Sequence, residues 1–197
     1  MQAPTAPSLS ADSLACRRGD RVLFRGLSLE LRAGEALHVT GSNGSGKTTL
    51  IRALAGLLEP FAGEVTSNAA IGLLDERPGL DPDLSLGKAL SFWERVDQCD
   101  DPSAAFTELG LINLLEVPVR YLSTGQRKRA ALASLLNREA PIWLLDEPLS
   151  GLDHAAIARV TGLVENHVAA GGIALIASHQ DLTIPDLKTL AIEDFQP

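Results

Sequence analysis

The sequence predicts one α/β domain with a mainly parallel central sheet covered by helices on both faces. Three observations carry that expectation. Apolar runs at 36–40, 142–145 and 173–177 have the length of buried strands and are too short for helices. Stretches with apolar residues at helical spacing lie between them, so strand and helix alternate along the chain as a parallel sheet requires. Finally, Gly41, Ser42, Asn43, Gly44, Ser45, Gly46, Lys47 and Thr48 follow the first of these strands and open a helix. That is the strand, loop, helix context of a G-x-x-x-x-G-K-[ST] phosphate-cradling loop.

Composition narrows the choices. A chain of 197 residues suits one generous domain. Only 4% of residues are aromatic and the net charge is −8, which supplies neither a base-stacking platform nor a basic stripe, so no nucleic-acid partner is expected. Cys16 and Cys99 are too far apart in sequence for a zinc knuckle and do not make a disulfide framework, which fits a reducing cytosol. No run of ~18 apolar residues is present. Membrane association is therefore expected to come through a partner.

Taken in order, residues 1–8, rich in Pro, Ala and Ser, read as a loose tail. Leu27 to Leu31 alternates apolar and polar side chains like a half-buried strand, and Ala33, Gly34 and Glu35 form a tight turn into the strand at 36–40. Beyond the phosphate loop, Leu50, Ile51, Leu54, Leu57 and Leu58 share one helical face, which ends at Pro60 and Gly63. Glu64 to Ser67 and Ile71 to Leu74 read as short strands, and 75–83 as turns. From Leu86 to about Leu114 the pattern is helical, with Asp101 and Pro102 resembling a cap followed by a first-turn proline. Ser123 and Thr124 can cap a helix to about Leu136, and a further helix from about Ala155 to Ala169 stops at Gly171 and Gly172. The basic run Arg127, Lys128, Arg129 reads as one solvated helical turn, because a helix spreads three consecutive side chains around its circumference.

The candidate chemistry follows from these placements. Glycines at 41, 44 and 46 let backbone amides approach phosphate oxygens, and Lys47 stands where a helix N-terminus adds its own partial positive charge. Asp146 follows four apolar residues, so it is expected to leave a strand end into a site and hold Mg²⁺ beside Thr48. Glu147 is placed to accept a proton from attacking water; alternatively, it is a loop carboxylate capping a helix. His38, His154 and His167 read as structural or surface residues.

Leu122, Ser123, Thr124, Gly125 and Gln126, about twenty residues before Asp146, resemble the Leu-Ser-Gly-Gly-Gln signature of the ATP-binding cassette (ABC) family, with Thr124 replacing the first glycine. Ser150 to Asp153 resembles that family's D-loop, and His179 its switch histidine, each assigned by position in the resemblance. The resemblance spans about Leu14 to Leu190. It implies a P-loop NTPase of the ABC nucleotide-binding type over 9–197, with a helical subdomain at approximately 84–137. It also implies ATP and Mg²⁺ as ligands, and a head-to-tail homodimer in which Ser123, Thr124, Gly125 and Gln126 of one copy meet nucleotide held by Gly41 to Thr49 of the other. Lys47, Glu147 and His179 would be catalytic, with Thr48, Asp146 and Glu76 around the metal. Glu76 departs from the family's glutamine, and Arg17 and Arg18 stand where the family places an aromatic against adenine, so Arg18 is the candidate base contact.

Within the family, the small size, the stretch Leu14 to Leu27, the segment Pro78, Gly79, Leu80 and the short end after His179 resemble the cytochrome c maturation ATPases. This likeness implies an ATPase on the cytoplasmic face of the bacterial inner membrane, working with integral-membrane subunits of the maturation complex in haem export or delivery, or in release of a haem-loaded chaperone. Direct haem binding is not expected, since no Cys-x-x-Cys-His or His-rich tract occurs. The alternatives are the ATPase of another small exporter and a soluble mechanical ATPase; the latter's relatives carry paired cassettes or long coiled-coil inserts.

Overall fold

The computed structural model describes residues 5–75, 79–99 and 101–197. In chain order its strands are β1 (Ser8–Arg18), β2 (Arg21–Arg32), β3 (Ala36–Thr40), β4 (Ala62–Ser67), β5 (Ile71–Leu74), β6 (Ile142–Asp146), β7 (Ile173–Ala177) and β8 (Lys188–Ala191). The helices are α1 (Lys47–Leu54), α2 (Leu86–Asp97), α3 (Ser103–Glu108), α4 (Thr124–Asn137) and α5 (His154–Ala169).

A five-stranded parallel sheet, ordered β5-β6-β7-β3-β8, forms the centre. Side-chain alternation divides its core into two halves. Ile142 and Leu144 of β6 and Ile173 and Leu175 of β7 face Leu50, Ile51 and Leu54 of α1. Trp143, Leu145, Ala174 and Ile176 face the opposite way, onto Leu132 and Leu135 of α4 and Val160 and Val164 of α5. Both faces of the sheet are covered, and that is why its strands read as continuous apolar runs.

A second, antiparallel sheet, ordered β2-β1-β4, lies over the α1 side, with Leu14, Phe24 and Leu27 joining that half of the core. Its first strand begins at Ser8, so the expected loose tail is one residue too long: the Ser8 N–H donates to Asn68 Oδ1 at 2.7 Å. Bulges break β1 between Ala11 and Leu14, with Ser13 at φ +50°, and disrupt the two-residue period that marks a strand in sequence. Gly63 lies at the start of β4, beside that bulge, rather than ending an element. A Cβ there would lie 2.4 Å from the Asp12 carbonyl oxygen and 2.6 Å from that of Ser13, so only glycine fits.

The parallel register brings the functional segments to one edge. Val39, Ala177 and Asp146 stand side by side at the carboxyl ends of β3, β7 and β6. The chain leaves these three strands as the phosphate loop, the Ser178–His179 segment and the Glu147 turn, at the edge where parallel α/β sheets place their ligands. Among the described residues no helix is long and apolar enough to cross a membrane.

Candidate functional site: a phosphate loop and a carboxylate at the sheet edge

The loop between β3 and α1 is built for close backbone approach. Gly41 has φ +147°, and a Cβ on it would lie 2.8 Å from both Ser45 Oγ and Ile192 Cγ2. Gly46 caps α1 at φ +116° against the Phe24 ring. Ser45, Gly46 and Lys47 are buried, Ser42, Asn43 and Gly44 form the exposed rim, and Thr48 and Thr49 are half-buried in the first helical turn. The Lys47 ammonium is directed into the loop, donating to the carbonyls of Gly41 at 2.6 Å and Ser42 at 3.2 Å, and lies 4.0 Å from Glu147 Oε1. This concavity of amides with a lysine inside it suits the phosphate chain of a nucleotide.

On the facing side, Asp146 ends β6 only 1% exposed. A carboxylate this deep at a strand end fits a divalent cation brought in with a triphosphate, to which Asp146 and the Thr48 hydroxyl in the first turn of α1 would be the protein's contribution. Among the described residues no cluster of three or more His, Cys, Asp or Glu side chains could hold a metal without such a ligand. Glu76, the third expected metal residue, lies outside the described residues.

Glu147 turns out of the sheet with φ +48°, an uncommon conformation for a side-chain-bearing residue. Its N–H donates to the Ala177 carbonyl at 2.8 Å, and its carboxylate Oε2 accepts from His179 Nδ1 at 2.8 Å. The carboxylate thus stands between the Lys47 ammonium and the exposed His179 ring, at the mouth of the phosphate loop. Glu147 does not cap a helix; Asp153 performs that task for α5, accepting from the Ala156 N–H at 2.8 Å.

Ser123 is the N-cap of α4. Its Oγ accepts from the Gln126 N–H at 3.1 Å, while its own N–H donates to Gln126 Oε1 at 2.8 Å, a reciprocal capping box. The helix-start reading and the signature reading of this segment therefore describe the same residues. Ser123 and Thr124 remain exposed. Gly125 packs against the D-loop so tightly that a Cβ would come within 2.9 Å of the Gly151 carbonyl oxygen. Ser123, Gly125, Gln126, Arg129, Asp153 and Arg159 line a hollow of about 340 Å³. No residue of the phosphate loop, Gly41 to Thr49, lines that hollow.

Arg17 and Arg18 part company at the end of β1. The Arg17 guanidinium lies 4.9 Å from the centre of the Phe61 ring, whereas Arg18 stands exposed at the hairpin, paired in register with Arg21. His38 is buried within β3, its Nε2 3.2 Å from the Ser178 carbonyl. His154 is exposed and His167 is packed on Trp143, in keeping with structural and surface roles for all three.

Two residues of this region were not anticipated. Glu193 Oε1 accepts the Ser42 N–H at 2.8 Å, and that bond holds the Glu193 carboxyl below its ordinary pKa. No local pattern marks Glu193, because β8 carries it to the loop from far along the chain. The second is Lys128. The basic run is not a solvated turn: Lys128 is 3% exposed and donates to the Glu147 carbonyl and, at 2.5 Å, to Ser150 Oγ. Arg127 and Arg129 turn back to the carbonyls of Leu122 at 2.8 Å and Leu109 at 2.9 Å. One signal in sequence was available, since Lys128 heads the stripe continued by Leu132 and Leu135, both core residues.

Residues 24–150 match the family model described as ABC transporter. The chain is 57% identical over 189 residues to the cytochrome c biogenesis ATP-binding export protein CcmA of Novosphingobium aromaticivorans, covering 96% of this chain and 97% of the relative. It is 50% identical to the protein of the same description from Sphingopyxis alaskensis, covering 93% and 96%. Among solved structures it resembles an ABC transporter ATP-binding protein from Pyrococcus furiosus with a TM-score of 0.83 at 22% identity, over 96% of this chain and all of that one, a likeness of fold alone.

Proposed function

We propose, since this chain belongs to the ABC transporter family and within it to the cytochrome c biogenesis ATP-binding proteins, that it is the ATP-hydrolysing subunit of a membrane complex that handles haem for cytochrome c assembly. The observation that carries the ATPase reading is the placement of Glu147 between Lys47 and His179. Mg²⁺ accompanying the nucleotide would draw charge from the β and γ phosphates, with Thr48 and Asp146 as its protein ligands. Lys47 neutralises the same phosphates, and amides of residues 41–49 receive their oxygens. Glu147 orients a water and accepts its proton as the water oxygen attacks the γ phosphorus and the bond to the bridging oxygen breaks, so that ADP leaves with that oxygen; His179 fixes the carboxylate rotamer from the exposed side. Arg18 contacts the base.

The signature surface supports action in pairs. Ser123 and Thr124, exposed, and Gly125 and Gln126, half-buried, present a polar face, and in a head-to-tail dimer that face completes the nucleotide site of the second copy. ATP then closes the pair and hydrolysis reopens it, moving an attached partner. A groove of about 460 Å³ between α1 and the helical segment, with Leu57, Leu73, Leu80 and Trp93 in its wall and Asp97 and Arg138 at its rim, suits an amphipathic helix offered by an integral-membrane subunit. Such docking would hold the chain at the cytoplasmic face of the inner membrane.

The test is phosphate release by the full chain in membranes with its partner subunits. Glu147→Gln should lower turnover by roughly 100-fold or more while fluorescent ATP still binds. Near-wild-type turnover in this variant would remove Glu147 from the chemistry.

A further inference from the structure

Lys128 occupies a place that the hydrolytic machinery described above does not use. It lies one helical turn beyond Ser123, which caps α4, yet its ammonium is buried beneath the catalytic turn. The Glu147 carbonyl is the node it reaches: besides Lys128 Nζ, that oxygen accepts from Ser150 N–H at 3.3 Å and Ser150 Oγ at 3.1 Å. Ser150 opens the segment that ends at Asp153, and Gly151 within it abuts Gly125.

Burial of an ammonium is costly unless its donors are satisfied, so a lysine here is not explained by packing; an apolar side chain on the stripe with Leu132 and Leu135 would serve stability at least as well. What the ammonium does is hold the backbone of a residue in a left-handed conformation, Glu147 at φ +48°. Release of that carbonyl would let the backbone of Glu147 relax out of the left-handed region, and the accompanying change in φ and ψ would re-aim its side chain relative to His179 and the mouth of the phosphate loop. The same ammonium ties the turn to the first residues of the signature helix.

We infer that Lys128 is a positioning residue for hydrolysis, which locks the backbone of Glu147 to the signature helix and to Ser150. Movement of α4 when the signature meets nucleotide on a second copy is thereby passed, through one side chain, to the carboxylate that activates water in the same subunit. This inference rests on Glu147 being the catalytic base.

Lys128→Met tests it, because methionine keeps the length and apolar stem while removing the ammonium. The expected result is a fall in kcat of roughly 10- to 100-fold, the scale of an ångström-level misplacement. KM for ATP and the affinity for a fluorescent ATP analogue should stay within about twofold, since the phosphate loop is untouched, and the thermal midpoint should be unchanged or raised. A residue that merely supports the fold would lower the midpoint and leave kcat per folded molecule intact. Wild-type kcat in Lys128→Met, or a loss explained by weaker ATP binding, overturns the inference. Should Lys128→Met fail to fold, Ser150→Ala, which removes the second anchor of the ammonium, is read instead: a several-fold lower kcat at unchanged KM supports the inference and wild-type kcat overturns it. Glu147→Gln is assayed in parallel. Full turnover there discards the catalytic reading itself, whereas an inactive Glu147→Gln beside a fully active Lys128→Met discards only the role of Lys128.

Discussion

The indole of Trp143 and the imidazole of His167 lie face to face, with ring centres 3.8 Å apart and planes within 7°, while His167 Nε2 donates to the Ile173 carbonyl at 3.2 Å. A Cβ on Gly172 would fall 2.3 Å from that nitrogen, so a glycine is required beside the ring. Burial holds the His167 pKa below its ordinary value, against the smaller opposing effect of hydrogen bonds to Ile173 and Pro141. The folded chain therefore binds fewer protons than the unfolded one as pH falls through the ordinary histidine value of about 6.5, and stability declines below that point. The contribution is complete above it. We expect the urea midpoint of the protein to fall between about pH 7.5 and 5.5, and to fall less in His167→Gln, which keeps a donor but does not titrate. Equal slopes in the two proteins would show that His167 is not the group responsible. The carboxyls of Glu35, Asp101 and Glu193, all held below their ordinary values by hydrogen bonds, titrate at lower pH, whereas burial pushes that of Glu94 up; its effect has the opposite sign, stability falling as pH rises, and is common to both proteins.

At the scale of elements, the first turn of α4 and the D-loop act as one piece, and Gly125 is their contact point. Gly125→Ala sets a helix-propensity gain of at most about 1 kcal/mol against an overpacking cost of about 1–3 kcal/mol at a backbone oxygen that has little room to retreat. The expected outcome is a modestly lower thermal midpoint and reduced phosphate release, with fluorescent ATP still bound by the phosphate loop. Increased stability would mean that the contact with Gly151 yields easily. Elements of this kind were legible where local pattern and tertiary role coincide: the three buried strands, α1, α4 and α5 all carry their own periodicity or caps. β1 was not legible, because its bulges disrupt the alternation, nor was β8, a four-residue edge strand with two exposed residues. The phosphate loop, Asp146 and the Glu147 turn were readable because their spacing is local. Glu193 was not, since it is positioned by a distant strand, and Lys128 was marked only by its place on the stripe of Leu132 and Leu135, which the charges on either side of it obscure.

For the whole molecule, the sheet edge gathers Lys47, Asp146 and Glu147 beside the phosphate loop, while Ser123 and Thr124 are exposed at the start of α4. On the function proposed above, such a chain would work as a pair, each copy completing the other's site, and a membrane partner would seat on the groove beside Trp93. The most direct measurement is the mass of the particle in solution, by size-exclusion chromatography with light scattering, with and without Mg²⁺ and ATP. Glu147→Gln, unable to hydrolyse the nucleotide that closes the pair, should run as a dimer with ATP and as a monomer without it. Adding Ser123→Arg, which sets a bulky side chain where the γ phosphate of the other copy must dock, should return it to monomer while ATP still binds. An ATP-dependent dimer that persists in the double variant would contradict a nucleotide site shared between two copies.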